Sequence, residues 1–285
     1  RAFSAAPLLK ASTAVFTRLA LPEMEARGDD RAFAAAVVAV GGTLAALIPP
    51  SALLVIYGIL VEASVAKLLL AGFVPGILSI FVYLIVITVV VKLRPGLAPL
   101  EPSVPFVEKL RSLPKVSGVF AVVGVILLGI YMGWMTPTES AGVATAIILV
   151  MAMAGRMRLR EFGNGLVDTI QTTAMIFMVL WGVMIFVRFL AFTGLPAHVT
   201  DQVLSLDVPR WVILAAVILM YLLLGMIMDG LGMMLLTLPV VFPAMVSLGY
   251  DPIWFGILLI KLIEVGVVTP PVGRNCYVVS GMRPD

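Results

Sequence analysis

The sequence predicts an all-α integral membrane protein made of two related halves, each with a helix broken within the membrane. Of its 285 residues, 61% are hydrophobic and 12% are charged, whereas about a quarter are charged in soluble domains. Several apolar runs are long enough to cross a bilayer. Two further runs are interrupted by proline pairs. A lipid bilayer is therefore the expected surroundings, and a soluble enzyme or nucleic-acid binder is excluded.

Four apolar runs are uninterrupted and long enough to span about 30 Å of hydrocarbon, which takes about 20 helical residues. They cover residues 65–92, 116–134, 166–192 and 211–228. A shorter run, 140–155, returns across the membrane after 116–134.

Two other stretches predict broken helices. Residues 31–63 would form a helix of about 50 Å at 1.5 Å per residue, but Pro49–Pro50 lies near the middle. Proline removes backbone donors and interrupts a helix. Residues 252–281 are interrupted in the same way at Pro270–Pro271.

Basic loops set the expected orientation, because Lys and Arg collect on the cytoplasmic side. Two loops are basic: Lys92, Arg94, Lys109, Arg111 and Lys115 in one, and Arg156, Arg158 and Arg160 in the other. With both basic loops on the cytoplasmic side, residue 65 and Gly194 are predicted on the outer side of the membrane and the loop at 24–31 on the cytoplasmic side.

An internal repeat relates the two broken regions. One constant shift along the chain, without gaps, superposes a set of identical residues: Pro22, Met24, Gly28, Asp30, Pro49 and Pro50 on Pro243, Met245, Gly249, Asp251, Pro270 and Pro271. Most are residues that end or break helices. Matched helix breaks in two halves are typical of inverted-repeat secondary transporters.

Inversion predicts re-entrant hairpins. If the loop at 24–31 is inside, residues 245–252 are outside, so the segment 194–250 starts and finishes on one face. Its turn is predicted at Met228–Gly232, where non-helical backbone must be buried in protein or line a cavity. By the repeat, residues 6–24 are the second leg of an inner hairpin. We expect its first leg to precede Arg1, in a longer chain.

The broken helices are the predicted ion sites, because they leave carbonyl oxygens that a bound cation can satisfy. The candidates are Ala45, Ile48 and Pro50 at the first break and Gly266 and Thr269 at the second. Ligation by oxygen alone suits a hard ion such as sodium. The alternative is that each proline pair only kinks a packed helix.

Four charged side chains in apolar segments have two interpretations each. Asp229 either contacts the ion, the substrate or a partner hydroxyl, or it caps the half-helix that follows. Arg188 contacts a substrate carboxylate or extends to the interface. Lys261 and Glu264 share a helix face and either neutralise each other or couple to transport.

Other motifs predict structure rather than chemistry. Thr136–Glu139 fits a capping box with proline at the first helical position, and Gly72 and Gly76 suit close helix packing. His198 is expected in an exterior loop. With one cysteine and one histidine, a disulfide framework and a Cys/His metal site are excluded. No hydrolase or ATPase motif is present.

Four strings together resemble a known family: GGTLAALIPPS at 41–51, TPTE at 136–139, DPIWFG at 251–256 and VTPPVGRN at 268–275. They resemble the large membrane subunit of tripartite ATP-independent periplasmic (TRAP) transporters. The resemblance implies a sodium-coupled importer in the bacterial inner membrane. It also implies two partners, a small membrane subunit and a periplasmic binding protein, and an elevator mechanism.

The resemblance also implies the sodium ligands. One site maps onto Ala45, Ile48 and Pro50, with Ala45 in place of the usual glycine. The other maps onto Gly225, Gly266 and Thr269. The family's Ser- and Gly-rich inner hairpin tip contributes serines to the first site, whereas residues 3–10 read FSAAPLLK. The family's N-terminal helices and last helix have no counterpart here.

The predicted organisation has three parts: a first transport region at 1–63, scaffold helices at 64–192 and a second transport region at 193–285. The expected function is sodium-coupled import of a small organic anion, a carboxylate, delivered by the binding protein. Two alternatives remain open. One is a sodium/carboxylate symporter or antiporter that needs no binding protein, and the other is a membrane scaffold without transport.

Overall fold

The computed structural model describes residues 7–99, 106–271 and 273–281, and every long regular element among them is an α-helix. The helices are α1 (Pro7–Ala26), α2 (Arg31–Gly41), α3 (Ala52–Leu60), α4 (Val65–Leu93), α5 (Phe106–Tyr131), α6 (Pro137–Ala154), α7 (Leu159–Thr193), α8 (Leu195–Ser205), α9 (Arg210–Ile227), α10 (Gly230–Ser247), α11 (Pro252–Val268) and α12 (Arg274–Gly281). Short 3₁₀ turns follow α2 at Gly42–Ala46 and α4 at Pro95–Leu97.

Five helices of the described chain are long and apolar enough to cross a membrane: α4, α6, α7, α9 and α10. Much of the apolar surface of α4 and α7 is unburied, including Leu78, Ile85, Met178 and Trp181. Apolar faces of this size need a lipid or protein covering. The chain is therefore a multi-pass membrane protein.

The two broken regions have the same outline. The shift that superposes the proline pairs also carries the start of α2, Arg31, onto the start of α11, Pro252. It also carries the end of α1, Ala26, onto the end of α10, Ser247. The structure thus confirms that helices stop at both proline pairs, and these two bounds recur at the predicted spacing.

The corner before each broken helix is built alike. Gly28 and Gly249 adopt φ of 85° and 84°, a left-handed conformation that glycine adopts without a Cβ clash. Asp30 then accepts a hydrogen bond from Phe33 N at 2.9 Å, and Asp251 accepts one from the equivalent Trp254 N, also at 2.9 Å. Each aspartate is the N-cap of its helix.

The turn predicted near Met228 is present, since α9 ends at Ile227 and α10 begins at Gly230. Tyr221 on α9 and Thr237 on α10 join the two legs, with 2.8 Å between their hydroxyl oxygens. The exterior loop expected around His198 is instead helix α8, which packs on α10. Gly194, at φ 69°, ends α7, and Pro196 lies in the first turn of α8, so the chain turns and resumes as helix.

Helix α4 lies against the first break through two glycines. A Cβ on Gly72 would lie 2.9 Å from the Leu47 carbonyl oxygen, and one on Gly76 would lie 2.9 Å from Ile48 Cγ1. The predicted close packing of these small residues is confirmed. The capping box is confirmed too, because Thr136 N donates to Glu139 Oε2 at 2.7 Å and Glu139 N donates to Thr136 Oγ1 at 3.3 Å.

The core lies around α11, where Leu259, Ile260 and Ile263 are fully buried. Tyr57 of α3 is also buried, and its hydroxyl donates to the Pro252 carbonyl at 2.6 Å. This bond ties the helix after the first break to the start of the second broken helix. The two halves thus form one packed unit.

Candidate functional site

The first break is closed mainly by one serine. The Leu44 carbonyl accepts from the amides of Leu47 and Ile48, which ends the 3₁₀ turn. Ser51, which is buried, donates its hydroxyl to the Ala46 carbonyl and accepts from Leu54 N at 3.3 Å. One side chain therefore closes one half-helix and caps the next.

The three predicted sodium ligands of the first break have carbonyls that are free for a cation. Within the described ranges, no amide or side chain donates to the carbonyl oxygens of Ala45, Ile48 or Pro50. This donor set suits a hard cation.

The second break is closed by Thr269. Its amide donates to the Gly266 carbonyl at 3.2 Å, its carbonyl accepts from Gly273 N at 3.2 Å, and its hydroxyl donates to the Val265 carbonyl at 2.5 Å. A hydroxyl that donates its proton keeps both lone pairs. Thr269 Oγ1 can therefore still bind a cation.

Gly225 and Gly266, both predicted sodium ligands, bring the backbones of α9 and α11 into contact. A Cβ on Gly266 would lie 2.7 Å from Gly225 Cα and 3.2 Å from the Gly225 carbonyl oxygen. The prediction that Gly266 allows another backbone to approach is confirmed. The contact gathers oxygens from both helices within one turn of Thr269.

The hairpin tip is held to the second broken helix by an ion pair. Asp229 caps α10 by accepting from Leu231 N at 3.2 Å, so the predicted capping role is confirmed. Its other carboxylate oxygen lies 3.0 Å from Arg274 Nη1. Arg274 Nη2 also donates to the Met228 carbonyl. The tip is thus fixed to the first residue of α12.

The next residue, Asn275, joins the second break to the first half. Its buried side-chain amide donates to the Ala39 carbonyl of α2 at 3.1 Å. Because Asn275 contacts α2 and Arg274 contacts the turn between α9 and α10, both broken helices and this turn meet around residues 273–275.

Lys261 and Glu264 form a direct ion pair, with 2.6 Å between Lys261 Nζ and Glu264 Oε2. Lys261 also donates to Ser79 of α4 at 2.8 Å and lies 5.4 Å from the centre of the Tyr83 ring. The Glu264 side chain is 0% exposed and that of Lys261 is 33% exposed. The predicted mutual neutralisation is present, and it also attaches α11 to α4.

Arg188 lies away from this centre. It lines a cavity of about 460 Å³ together with Glu62, Trp181 and Met184. The ends of α3 and α7 therefore lie side by side, as expected if both reach the same membrane face. Among the described residues, no cluster of His, Cys, Asp and Glu could hold a metal ion.

Residues 9–284 match the family described as the tripartite ATP-independent periplasmic transporter, DctM component. The chain belongs to this family. The family is one of transporter components, and the curated relatives are named as transporter permeases rather than enzymes.

Curated DctM-family relatives include transporters of several anions. The chain is 34% identical over 274 residues to the C4-dicarboxylate TRAP transporter large permease protein DctM of Pseudomonas aeruginosa, covering 95% of the chain and 64% of the relative. It is 32% identical over 250 residues to the sialic acid large permease SiaM of Vibrio cholerae, covering 87% and 58%. An isethionate permease, DctMQ, of Oleidesulfovibrio alaskensis is 30% identical over 289 residues, covering 95% and 43%. The chain thus spans less than two thirds of each relative.

The site contains two residues, Arg274 and Asn275, that are outside the predicted set. Both stand in the string VTPPVGRN, but no role is predicted for them. The sequence signal that could have identified them is that they are polar residues directly after a helix break. The atypical residues 3–10 of the first hairpin lie outside the residues whose side chains the structure describes.

Proposed function

We propose that the chain is the core of a sodium-coupled importer of a small organic anion. A periplasmic binding protein would deliver the anion, and a small membrane subunit would complete the transporter in the bacterial inner membrane. The observation that carries this proposal is the meeting of both broken helices and the hairpin tip around residues 273–275. Half-helix ends that meet within a membrane are the usual place for substrate and coupling ion.

Two sodium sites follow from the donor atoms. The first uses the carbonyls of Ala45, Ile48 and Pro50, and their lack of donors within the described chain supports it. The second uses Gly225, Gly266 and the hydroxyl of Thr269, and the contact between the two glycines supports it.

The two halves are proposed to be inverted and to move as an elevator. The hairpins and broken helices of residues 1–63 and 193–285 would carry ions and substrate past the helices of residues 64–192. Recurrence of helix ends at one constant spacing supports the repeat. Asp229, at the hairpin tip, would contact the substrate or orient its ligand.

The substrate class rests on the relatives, which are named for C4-dicarboxylates, sialic acid and isethionate. All three are organic anions. An anion crossing a low-dielectric region needs compensating charge, which sodium and a cationic side chain supply. The cationic side chain predicted for this role from the sequence is Arg188, at the outer end of α7.

The test is uptake into proteoliposomes that contain the full-length protein, its small membrane subunit and its binding protein. A panel of dicarboxylates, sialic acid and sulfonates is offered with and without an inward sodium gradient. Sodium-dependent uptake that requires the binding protein is expected. Uptake without the binding protein would favour the simple symporter, and no uptake of any anion would favour the scaffold.

A further inference from the structure

We propose that Arg274 binds the carboxylate (or equivalent acidic group) of the transported anion and that Asp229 holds its guanidinium in position. The inference rests on the proposed function and names a residue to which neither the sequence motifs nor the relatives assign a role. It starts from the place of Arg274, at the junction of the hairpin tip, the second break and, through Asn275, helix α2.

The guanidinium has unused binding capacity. Arginine carries five N–H donors in a planar fork. The described residues use two of them, one on Nη1 toward Asp229 and one on Nη2 toward the Met228 carbonyl. The other three have no acceptor within the described chain. A carboxylate accepts two parallel N–H bonds from such a fork.

The position suits a solute that arrives from water and is then enclosed. The side chains of Arg274 and Asp229 are 20% and 19% exposed, so a small anion can reach them, but most water is already excluded. Charge-assisted hydrogen bonds gain strength in such partly desolvated sites.

Asp229 acts as the positioning residue. Its two carboxylate oxygens are divided between Leu231 N and Arg274 Nη1, so the same side chain starts α10 and orients the guanidinium. The pair is neutral overall. A bound anion therefore needs the charge of sodium, and this links the affinity for the anion to the sodium concentration.

Arg188 is the rival residue. It is exposed and lines a cavity whose other members are mostly apolar. None of the described hydrogen bonds or ion pairs connects it to either break. If Arg188 instead recognises the carboxylate, its substitution, not that of Arg274, will weaken binding.

The first experiment compares three matched variants of the full-length transporter: Arg274→Gln, Arg188→Gln and, as a surface control, Arg160→Gln. We expect Arg274→Gln to raise the KM for the anion about tenfold to a hundredfold, as loss of a charge-assisted bond does. Arg160→Gln should leave it within twofold. Arg274→Lys retains the charge and should raise the KM less than Arg274→Gln, because Lys lacks the planar fork.

A second readout does not depend on transport. Cys276 is exposed and lies in α12 two residues after Arg274, on a different face of the helix. Maleimide labelling of Cys276, with Cys276→Ser as background, therefore reports on access to this end of α12 rather than on direct contact with the anion. The anion plus sodium should slow labelling of the otherwise unaltered protein and should not slow it in Arg274→Gln. Size-exclusion profiles and melting temperatures identify any misfolded variant.

Each result has a distinct meaning. Sodium-dependent uptake by the unaltered transporter together with an unchanged KM and unchanged labelling protection in Arg274→Gln would overturn the inference alone. A raised KM in Arg188→Gln with a normal KM in Arg274→Gln would transfer the role to Arg188. Absence of sodium-dependent uptake by the unaltered transporter would instead overturn the proposed function.

Discussion

The first break, at Pro49–Pro50, and the second, at Pro270–Pro271, end their helices at equivalent positions but carry different side chains. Ala45, Ile48 and Leu53 of the first half correspond to Gly266, Thr269 and Arg274 of the second. The first break offers carbonyls and the Ser51 hydroxyl, whereas the second offers carbonyls, the Thr269 hydroxyl and the Arg274 guanidinium. Under the proposed function, one backbone arrangement would carry two chemistries, an ion site in the first half and an ion and anion site in the second.

The largest expected loss of stability comes from breaking the ion pair between Lys261 and Glu264. Their equivalents in the first half are the uncharged Val40 and Thr43. Lys261→Met leaves the Glu264 carboxylate buried without its partner, so unfolding free energy should fall by about 3–5 kcal/mol. Thermal unfolding of the purified protein measures this.

The double variant Lys261→Val with Glu264→Thr copies the first half and is the control. It removes both charges, so it should recover most of the stability lost in Lys261→Met. If Lys261→Met alone unfolds at the temperature of the unaltered protein, the ion pair does not stabilise the contact of α11 with α4.

The next largest effect is expected from changing the small residue that each break carries at the equivalent position. Gly266→Ala adds a Cβ 2.7 Å from Gly225 Cα, so α9 and α11 must separate, at a cost of about 1–3 kcal/mol. Sodium activation of uptake should weaken as well. Ala45→Gly at the first break is the matched reverse change, and it should cost under about 1 kcal/mol. Equal effects at the two positions would remove this distinction between the breaks.

Removing the two hydroxyls that close the breaks is expected to have different effects. Ser51→Ala removes the cap of α3 and should lower stability by about 1–2 kcal/mol. Thr269→Val retains shape but loses an oxygen, so a higher sodium concentration should be needed for half-maximal uptake. Thr269→Ser should restore sodium activation. Loss of stability without a change in sodium activation in Thr269→Val would count against the second sodium site.

The smallest expected effects come from the aspartate caps, Asp30 and Asp251, at the two corners. Asp30→Ala removes an N-cap that accepts one amide bond, and Asp251→Ala removes one that accepts two, from Ile253 N and Trp254 N. Each should cost about 1 kcal/mol, with Asp251→Ala the more costly. Asp→Asn at either position should be nearly neutral, since Asn caps as well. A lower melting temperature in Asp30→Ala than in Asp251→Ala would contradict this order.

Much of the frame could be predicted from the sequence because it depends on local chemistry. Proline pairs end helices, glycine adopts positive φ, and aspartate caps helices whatever the tertiary context, so Pro49, Gly28 and Asp30 were informative alone. The prediction of a loop around His198 is wrong because the residues of α8 are only weakly apolar and their packing on α10 depends on contacts that no local pattern encodes. The partners of Arg274 lie 45 and 46 residues away along the chain, and no local pattern specifies them.

The corner before each broken helix has a consequence for protein engineering. In both halves one glycine turns the chain and one aspartate restarts it, although most of the surrounding residues differ. We therefore expect the corner of one half to be able to replace the corner of the other. We expect a chimera in which residues 249–254 replace residues 28–33 to keep the turn and the cap, and to insert and fold. Loops of new composition could then be grafted at either corner without redesigning the helices that it connects.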